Sequence, residues 1–367
     1  MNDSRAVLVV GGAGYLGSVL VEELVARGYA VTVFDRLFFD DTGLRNVRDR
    51  IRLFAGDMRR MDPSVLEGAR AIINLGGLSN DPTAEYNPEA NYQMNTAATE
   101  ILAKMAKERG IQRYLFASSC SIYDFGVTDE ERDVLLTEES PVDPHAAYSR
   151  SKLEGERALL RLADDRFCPV ILRMGTLFGF SPRMRYDLVV NTFVKDALSK
   201  GKLTLHYGGQ MWRPLCEVRD AARAYVALLE ADRTHVEGQI FNIVYDNIRI
   251  SELALRVQAT LAGMGVKVDI DADFGYAGVR NYRVSGKKLF SVLNFKPLIT
   301  VEESVKHMYE QIRKFRYTNF DSEYYYNIRW MKFLEKAREI ISLTDTIFDM
   351  PASQSAKAMA AGNRVER

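Results

Sequence analysis

The sequence predicts an α/β fold: a doubly wound parallel sheet with a smaller domain interleaved into its C-terminal half. Three observations carry this expectation. Short, unbroken, β-branched apolar runs alternate with helix-length segments through the first half of the chain. A glycine loop stands between the first such run and the first helical pattern. Past residue 174 the alternation loosens into polar loops, helices and separate strands. Strands buried on both faces read as continuous apolar runs, and strands alternating with helices build a parallel sheet covered on both sides.

The strand runs are AVLVV (6–10), AVTVF (30–34), IRLF (51–54), AIINL (71–75), RYLFA (113–117) and PVILR (169–173). Helical patterns fill 17–27, 91–109 and 146–163, the second closed by Gly110 as its C-cap. Asn87-Pro88 and Ser140-Pro141 mark loops. A polar, basic loop follows, GFSPRMRYD (179–187). Then come a helix at 188–200 ended by Gly201, a strand near 203–207, a helix at 217–231 and a strand IFNIV (240–244). This divides the chain into a sheet domain, 1–175 with 217–247, and a smaller substrate domain, 176–216 with 248–347. The aromatic-rich segment 316–338 reads as a helix packing on the body or on a second subunit. Residues 348–367, rich in small and polar side chains, read as a disordered tail.

Of 367 residues, 47% are hydrophobic, enough to bury a large core. Lys+Arg and Asp+Glu number 49 each, so no net field draws the chain to nucleic acid or to an anionic membrane. Cys120, Cys168 and Cys216 are far apart with no C-x-x-C, which points to reduced thiols and a cytoplasmic setting. Four histidines give metal chemistry little material, and no metal site is expected. The run AVLVVGGAGYLGSVLV is broken by glycines and followed by Glu22-Glu23, unlike a signal core.

The loop VLVVGGAGYLGS places Gly11, Gly14 and Gly17 at G-x-x-G-x-x-G spacing, with Tyr15 and Leu16 opening the helix. Glycine permits the tight turn, the approach of backbone to a pyrophosphate and close helix–strand packing, while the helix N-terminus faces the phosphates. Such a Rossmann-type site needs an acid after the second strand, and Asp35 stands 18 residues past Gly17. Its carboxylate would bond both ribose hydroxyls and repel a 2′-phosphate, favouring NAD over NADP. Arg36 beside it is the residue that could accept that phosphate. In GDM (56–58), Asp57 is placed to accept from the adenine amino group and Met58 to cover the ring.

The chain resembles the extended short-chain dehydrogenase/reductases, most of all nucleotide-sugar epimerases of the UDP-glucose 4-epimerase type. The resemblance rests on GGAGYLG, Asp35, GDM, Asn95 in YQMNTAAT, SSCSIY (118–123), YSRSK (148–152), LRMGTLFG (172–179) and RPLCEVRDAARAY (213–225). They occur in family order from residue 7 to about residue 310. It implies Tyr148 as acid/base and Lys152 as its partner, four residues on and so on one helix face. A free phenol titrates near ~10. A nearby ammonium, with the positive nicotinamide ring, would pull that down, and the ammonium would also hold the nicotinamide ribose. Ser119 aligns with the hydroxyl that bonds the reacting group; Ser118 and Ser121 have the same chemistry, so this assignment rests on register against Ile122-Tyr123. In the family's 4,6-dehydratases an Asp-Glu pair follows the catalytic threonine; here Cys120 and Ser121 stand there, which disfavours dehydration.

The resemblance extends to the ligand-binding positions. The stretch NLGGLSNDP brings Leu75, Gly76 and Gly77 to the cofactor and Ser79, Asn80 and Asp81 toward sugar hydroxyls. Thr176 stands where many 4-epimerases have asparagine, and Asn191 joins the substrate set. Arg213, Arg280 and an arginine of SPRMR, Arg183 or Arg185, are candidates for the substrate diphosphate, since a guanidinium binds phosphate bidentately. The implied activity is NAD-dependent epimerisation of a nucleotide-diphosphate sugar through a transient keto-sugar. A net NDP-sugar dehydrogenase or ketoreductase would use the same residues. A non-catalytic dinucleotide-binding module would not need the Tyr/Lys pair. The family commonly dimerises through two helices per subunit, here 91–109 and 146–163, so a homodimer is expected.

Overall fold

The computed structural model describes residues 5–124, 134–275 and 280–344. The tail expected at 348–367 lies outside the described residues. Seven parallel strands form the central sheet: β1 (Ala6–Val10), β2 (Ala30–Asp35), β3 (Ile51–Ala55), β4 (Ala71–Asn74), β5 (Arg113–Ser119), β6 (Cys168–Met174) and β7 (Ile240–Ile243). Their order is β7-β6-β5-β4-β1-β2-β3, with Val7 opposite Val31 and Ile73 opposite Leu115. Every residue of β4 and β6 is buried, which is why those runs carry no polar alternation.

Eight longer helices matter for the site: α1 (Tyr15–Ala26), α2 (Ala98–Glu108), α3 (Ala147–Leu162), α4 (Val189–Lys200), α5 (Val218–Glu230), α6 (Ile250–Ala262), α7 (Val301–Lys314) and α8 (Asn327–Thr344). The pleat sends Val7 and Val9 of β1 to a core with α1 and α5. Leu8 and Val10 enter the opposite core, with Leu102 of α2 and Leu159 of α3. Strand order reverses between β1 and β4, so the crevice beyond their C-terminal ends is where such a sheet admits a ligand. A further core gathers α4, α6 and α7 around Phe178, Tyr186 and Phe193.

The strand and helix positions follow the sequence reading closely, with two differences. The helix expected at 91–109 is interrupted: Pro88–Tyr92 is helical, Gln93–Ala97 forms a π-helical turn, and α2 begins only at Ala98. Asn95 within that turn is fully buried and bonds the backbone of Leu78, so a long-range contact distorts the helix. The segment 316–338 is not one helix. It runs irregularly past Tyr317, takes a short turn at Glu323–Tyr325, and becomes helical at Asn327.

The glycine loop fits α1 onto β1 with no spare room. A Cβ on Gly17 would lie 2.3 Å from the Gly11 carbonyl oxygen and 2.7 Å from the Gly12 backbone. Backbone cannot rotate away as a side chain does, so helix and strand would have to separate. Gly17→Ala is expected to destabilise the fold by about 1–3 kcal/mol, read as a lower midpoint in urea. An unchanged midpoint would show slack in this loop.

Candidate active site

The crevice is floored by the glycine loop, from the end of β1 into α1. Gly11 has φ 78°, and a Cβ there would lie 2.8 Å from Gly76 N, so the loops after β1 and β4 touch backbone to backbone. Asp35 ends β2 with one carboxylate oxygen accepting from Ala13 N at 3.0 Å and the other from Leu37 N at 2.8 Å. Burial pushes this carboxyl up, and the backbone donors oppose the shift. Arg36, on the crevice wall, pairs with Asp57 at 2.8 Å and stacks on Phe38. Asp57 also takes Arg59, which holds its pKa down to about 2. Two arginines thus engage the carboxylate expected at the adenine, and Asp57 and Met58 both form part of the wall.

The opposite wall is the start of α3 laid against the end of β5. Three side chains one turn apart reach three consecutive residues. Tyr148 hydrogen-bonds Ser119. Lys152 Nζ donates to the Ala117 carbonyl at 2.9 Å. Glu156 accepts from Ser118 Oγ. Ser121 is taken by Ser149 at 2.9 Å, so of the three serines it is Ser119 that meets the phenol. Arg173 on β6 closes the row with Nη2 2.7 Å from Glu156, both ends buried.

Lys152 and the nicotinamide ring are expected together to lower the Tyr148 pKa; the protein's own groups by themselves act the other way. Burial pushes the phenol up to about 12, reinforced by the Asp81 charge and opposed by Ser119, Arg280 and Arg185. Lys152 is itself pushed down to about 8 by burial, opposed by Glu156, and its ammonium sits 5.9 Å from the Tyr148 ring centroid. Desolvation is the leading cause on both residues. Cys120 is buried, bonds the Arg173 carbonyl and has its thiol pushed up, so it is no nucleophile here.

Gly14, Tyr15, Leu16, Gly17, Leu75, Gly76, Gly77, Ser79, Asn80, Thr176, Arg185 and Arg280 all line the crevice. Three expected residues do not. Asn95 is spent holding Leu78, Asn91 and Ser151. Asn191 bonds Gly179 N, the Arg185 carbonyl and the Tyr15 hydroxyl, fixing the loop rather than facing the cavity. Arg213 donates to the carbonyls of Trp212 and Arg280. The arginines on the wall are also engaged: Arg185 with Asp187 at 2.8 Å, Arg280 with Asp81 and, at 3.0 Å, Asp124. Arg183 is 1% exposed, stacks 3.6 Å above the Phe39 ring centroid and leaves Nε without a partner. Phe38, Phe39, Asn327 and Met331 complete the wall, and no sequence motif pointed to them.

A sequence model of the NAD dependent epimerase/dehydratase family matches residues 7–244. The chain belongs to that family. UDP-glucuronic acid decarboxylase 1 of Xenopus tropicalis is 29% identical over 239 residues, 63% of this chain and 55% of that protein. The chain therefore matches little more than half of that relative's length. A protein named uncharacterized UDP-glucose epimerase YtcB, from Bacillus subtilis, is 29% identical over 252 residues, 65% of this chain and 76% of that one. Among solved structures, MoeE5 in complex with UDP-glucuronic acid and NAD has a TM-score of 0.72 at 25% identity, covering 84% of this chain and 99% of MoeE5. As in the rest of this family, the cofactor is NAD. The residues fit it: Gly11, Gly14 and Asp35 line the crevice together, and Arg36, the cation for a 2′-phosphate, is held by Asp57. Among the described residues no helix is long and apolar enough to cross a membrane, and no cluster of three or more His, Cys, Asp or Glu could hold a metal.

The buried Lys152 has a consequence for stability. Its pKa falls from 10.5 in the open chain to about 8 when folded, so below pH 8 the folded state bears the full cost of a desolvated ammonium. Between those values the unfolded chain holds the extra proton and stability rises with pH, by on the order of 3 kcal/mol in all. Lys152→Met is expected to be more stable than the native protein at pH 7 by about 2 kcal/mol, allowing for the lost bond to Ala117. Urea midpoints at pH 7 and pH 10 check this: the gap narrows at pH 10, and a variant weaker at pH 7 contradicts it.

Proposed function

We propose that this protein is an NAD-dependent epimerase of a nucleotide-diphosphate sugar. The observation that carries the reading is the meeting of Tyr148, Ser119 and Lys152 at the end of β5, in one crevice with the glycine loop and Asp35. Gly11, Gly14, Gly17 and Asp35 would hold NAD, which when bound takes up and returns a hydride. Tyr148 accepts the sugar hydroxyl proton and gives it back, and Ser119 holds that hydroxyl in line with the phenol. Lys152 orients the nicotinamide ribose and, while protonated, favours the phenolate. Ser79, Asn80, Thr176 and Arg185 surround the sugar. Because Arg185 and Arg280 are already paired with carboxylates, Arg183 is the better diphosphate candidate.

The absence of a carboxylate pair after Ser119 supports epimerisation over elimination of water. The carboxylate whose charge most affects Tyr148 is Asp81, and it is paired with Arg280. Pairing of two subunits through α2 and α3 is part of this proposal. Ile101 is 46% exposed on α2 and open to a partner, whereas Leu102 is wholly core.

The purified protein is to be incubated with a panel of nucleotide sugars without added cofactor, and products read by NMR. The expected result is a stereoisomer of one substrate with no accumulation of NADH. Accumulated NADH would convert the reading to a net dehydrogenase. Tyr148→Phe should lose at least about 100-fold in turnover while keeping its NAD; a fully active Phe variant refutes the assignment.

A further inference from the structure

The C-terminal aromatic segment has a place in the fold that its composition did not announce. Residues 324–335 lie beyond the 7–244 span of the family match, yet they contact three separate loops at the rim of the crevice. The first is the loop after β2. Tyr324 Oη donates to the Phe39 carbonyl at 2.7 Å, and Trp330 Nε1 donates to the Phe38 carbonyl. Leu37 and Asp40, flanking those carbonyls, hold φ of 55° and 53°, the left-handed region disfavoured for side-chain-bearing residues. That strained turn is held from outside.

The second rim is the region after β4. Asn327 Nδ2 donates to Ser79 Oγ at 2.8 Å, and Tyr86 Oη donates to Glu335 at 2.6 Å. The third is the SPRMR loop. Arg183 Nη2 donates to Asn327 Oδ1 at 2.7 Å, and the Asn327 amide donates to Asp187 at 3.3 Å. Asn327, 8% exposed, thus ties two rims with one side chain, and Asn327 and Met331 themselves line the cavity. A ligand lying along the crevice between Asp35 and Tyr148 would be crossed by this segment.

We propose that Tyr324–Glu335 is a clasp that completes the dinucleotide site and slows the release of bound NAD, with Asn327 positioning Arg183 on the wall. The inference rests on reading the crevice as the NAD site and adds to it. A redox-neutral catalyst gains from such a clasp, because each turnover returns the cofactor to its starting state and exchange serves no purpose.

The test measures NAD dissociation from preloaded protein diluted into a dinucleotide trap. Trp330→Phe keeps the apolar bulk and removes the donor to Phe38; Asn327→Ala removes the tie between Ser79 and Arg183. Each is expected to release NAD about tenfold faster or more than the native chain. Leu343→Ala, on a residue 85% exposed on the same helix, should leave the rate unchanged. Should Asn327→Ala fail to fold, Trp330→Phe decides. Release within twofold of native in the folded variants overturns the clasp while leaving the NAD site standing. A native protein that binds no NAD overturns both.

Discussion

The attachment of α3 to the end of β5 is the constraint on which the site depends. A helix repeats every 3.6 residues and a strand every two, so the two can be matched over only a short distance. Here the match is made by Tyr148, Lys152 and Glu156 against Ser119, Ala117 and Ser118. The deepest link is the Glu156–Arg173 pair, which ties helix to the neighbouring strand. A buried ion pair contributes little net stability against apolar side chains, but losing one partner strands a charge and costs about 3–5 kcal/mol. The pair therefore acts as a register lock. Arg173 also donates to the Tyr123 hydroxyl, which in turn donates to Asn242 on β7, so the lock spans three adjacent strands.

Charge in the crevice is handled by local pairing. Arg36, Arg59, Arg185 and Arg280 each sit against a carboxylate, and in the buried Arg185–Asp187 pair both groups shift toward their charged forms. Tyr148 and Lys152 shift toward their neutral forms instead, the phenol raised and the ammonium lowered. Both shifts come from removing water, so any bound group that offers opposite charge to the ionised forms will reverse them. Arg183 departs from the pattern: it stacks on an aromatic ring and finds an amide rather than a carboxylate. Burying such a cation is costly unless something anionic compensates.

The loop that follows β6 is made rigid before any ligand arrives. Tyr15, in the first turn of α1, donates to the Gly179 carbonyl at 2.6 Å, and Ser181 bonds back to the Tyr15 carbonyl at 2.7 Å. Asn191, from α4, holds the same loop from behind. The floor of the cofactor groove and the substrate loop are thus one hydrogen-bonded unit. This polar, basic loop is buried because its backbone groups find partners in helices far away in the chain.

The sequence by itself determined the sheet, the glycine turn, the acid after β2 and the Tyr/Lys pair. Each of these is a local signal: apolar runs that need burial, glycines where only hydrogen fits, and two side chains one helical turn apart. Tertiary structure alone decided that Asn95, Asn191 and Arg213 are scaffold rather than wall, and which arginines are already paired. It also decided that the aromatic stretch near the end of the chain lies across the crevice. Such outcomes depend on contacts between residues up to hundreds of positions apart, as with Trp330 and Phe38, and no periodicity or spacing along the chain encodes them. Burial, too, is set by the whole fold, which is why desolvation leads the shifts of both Tyr148 and Lys152 here.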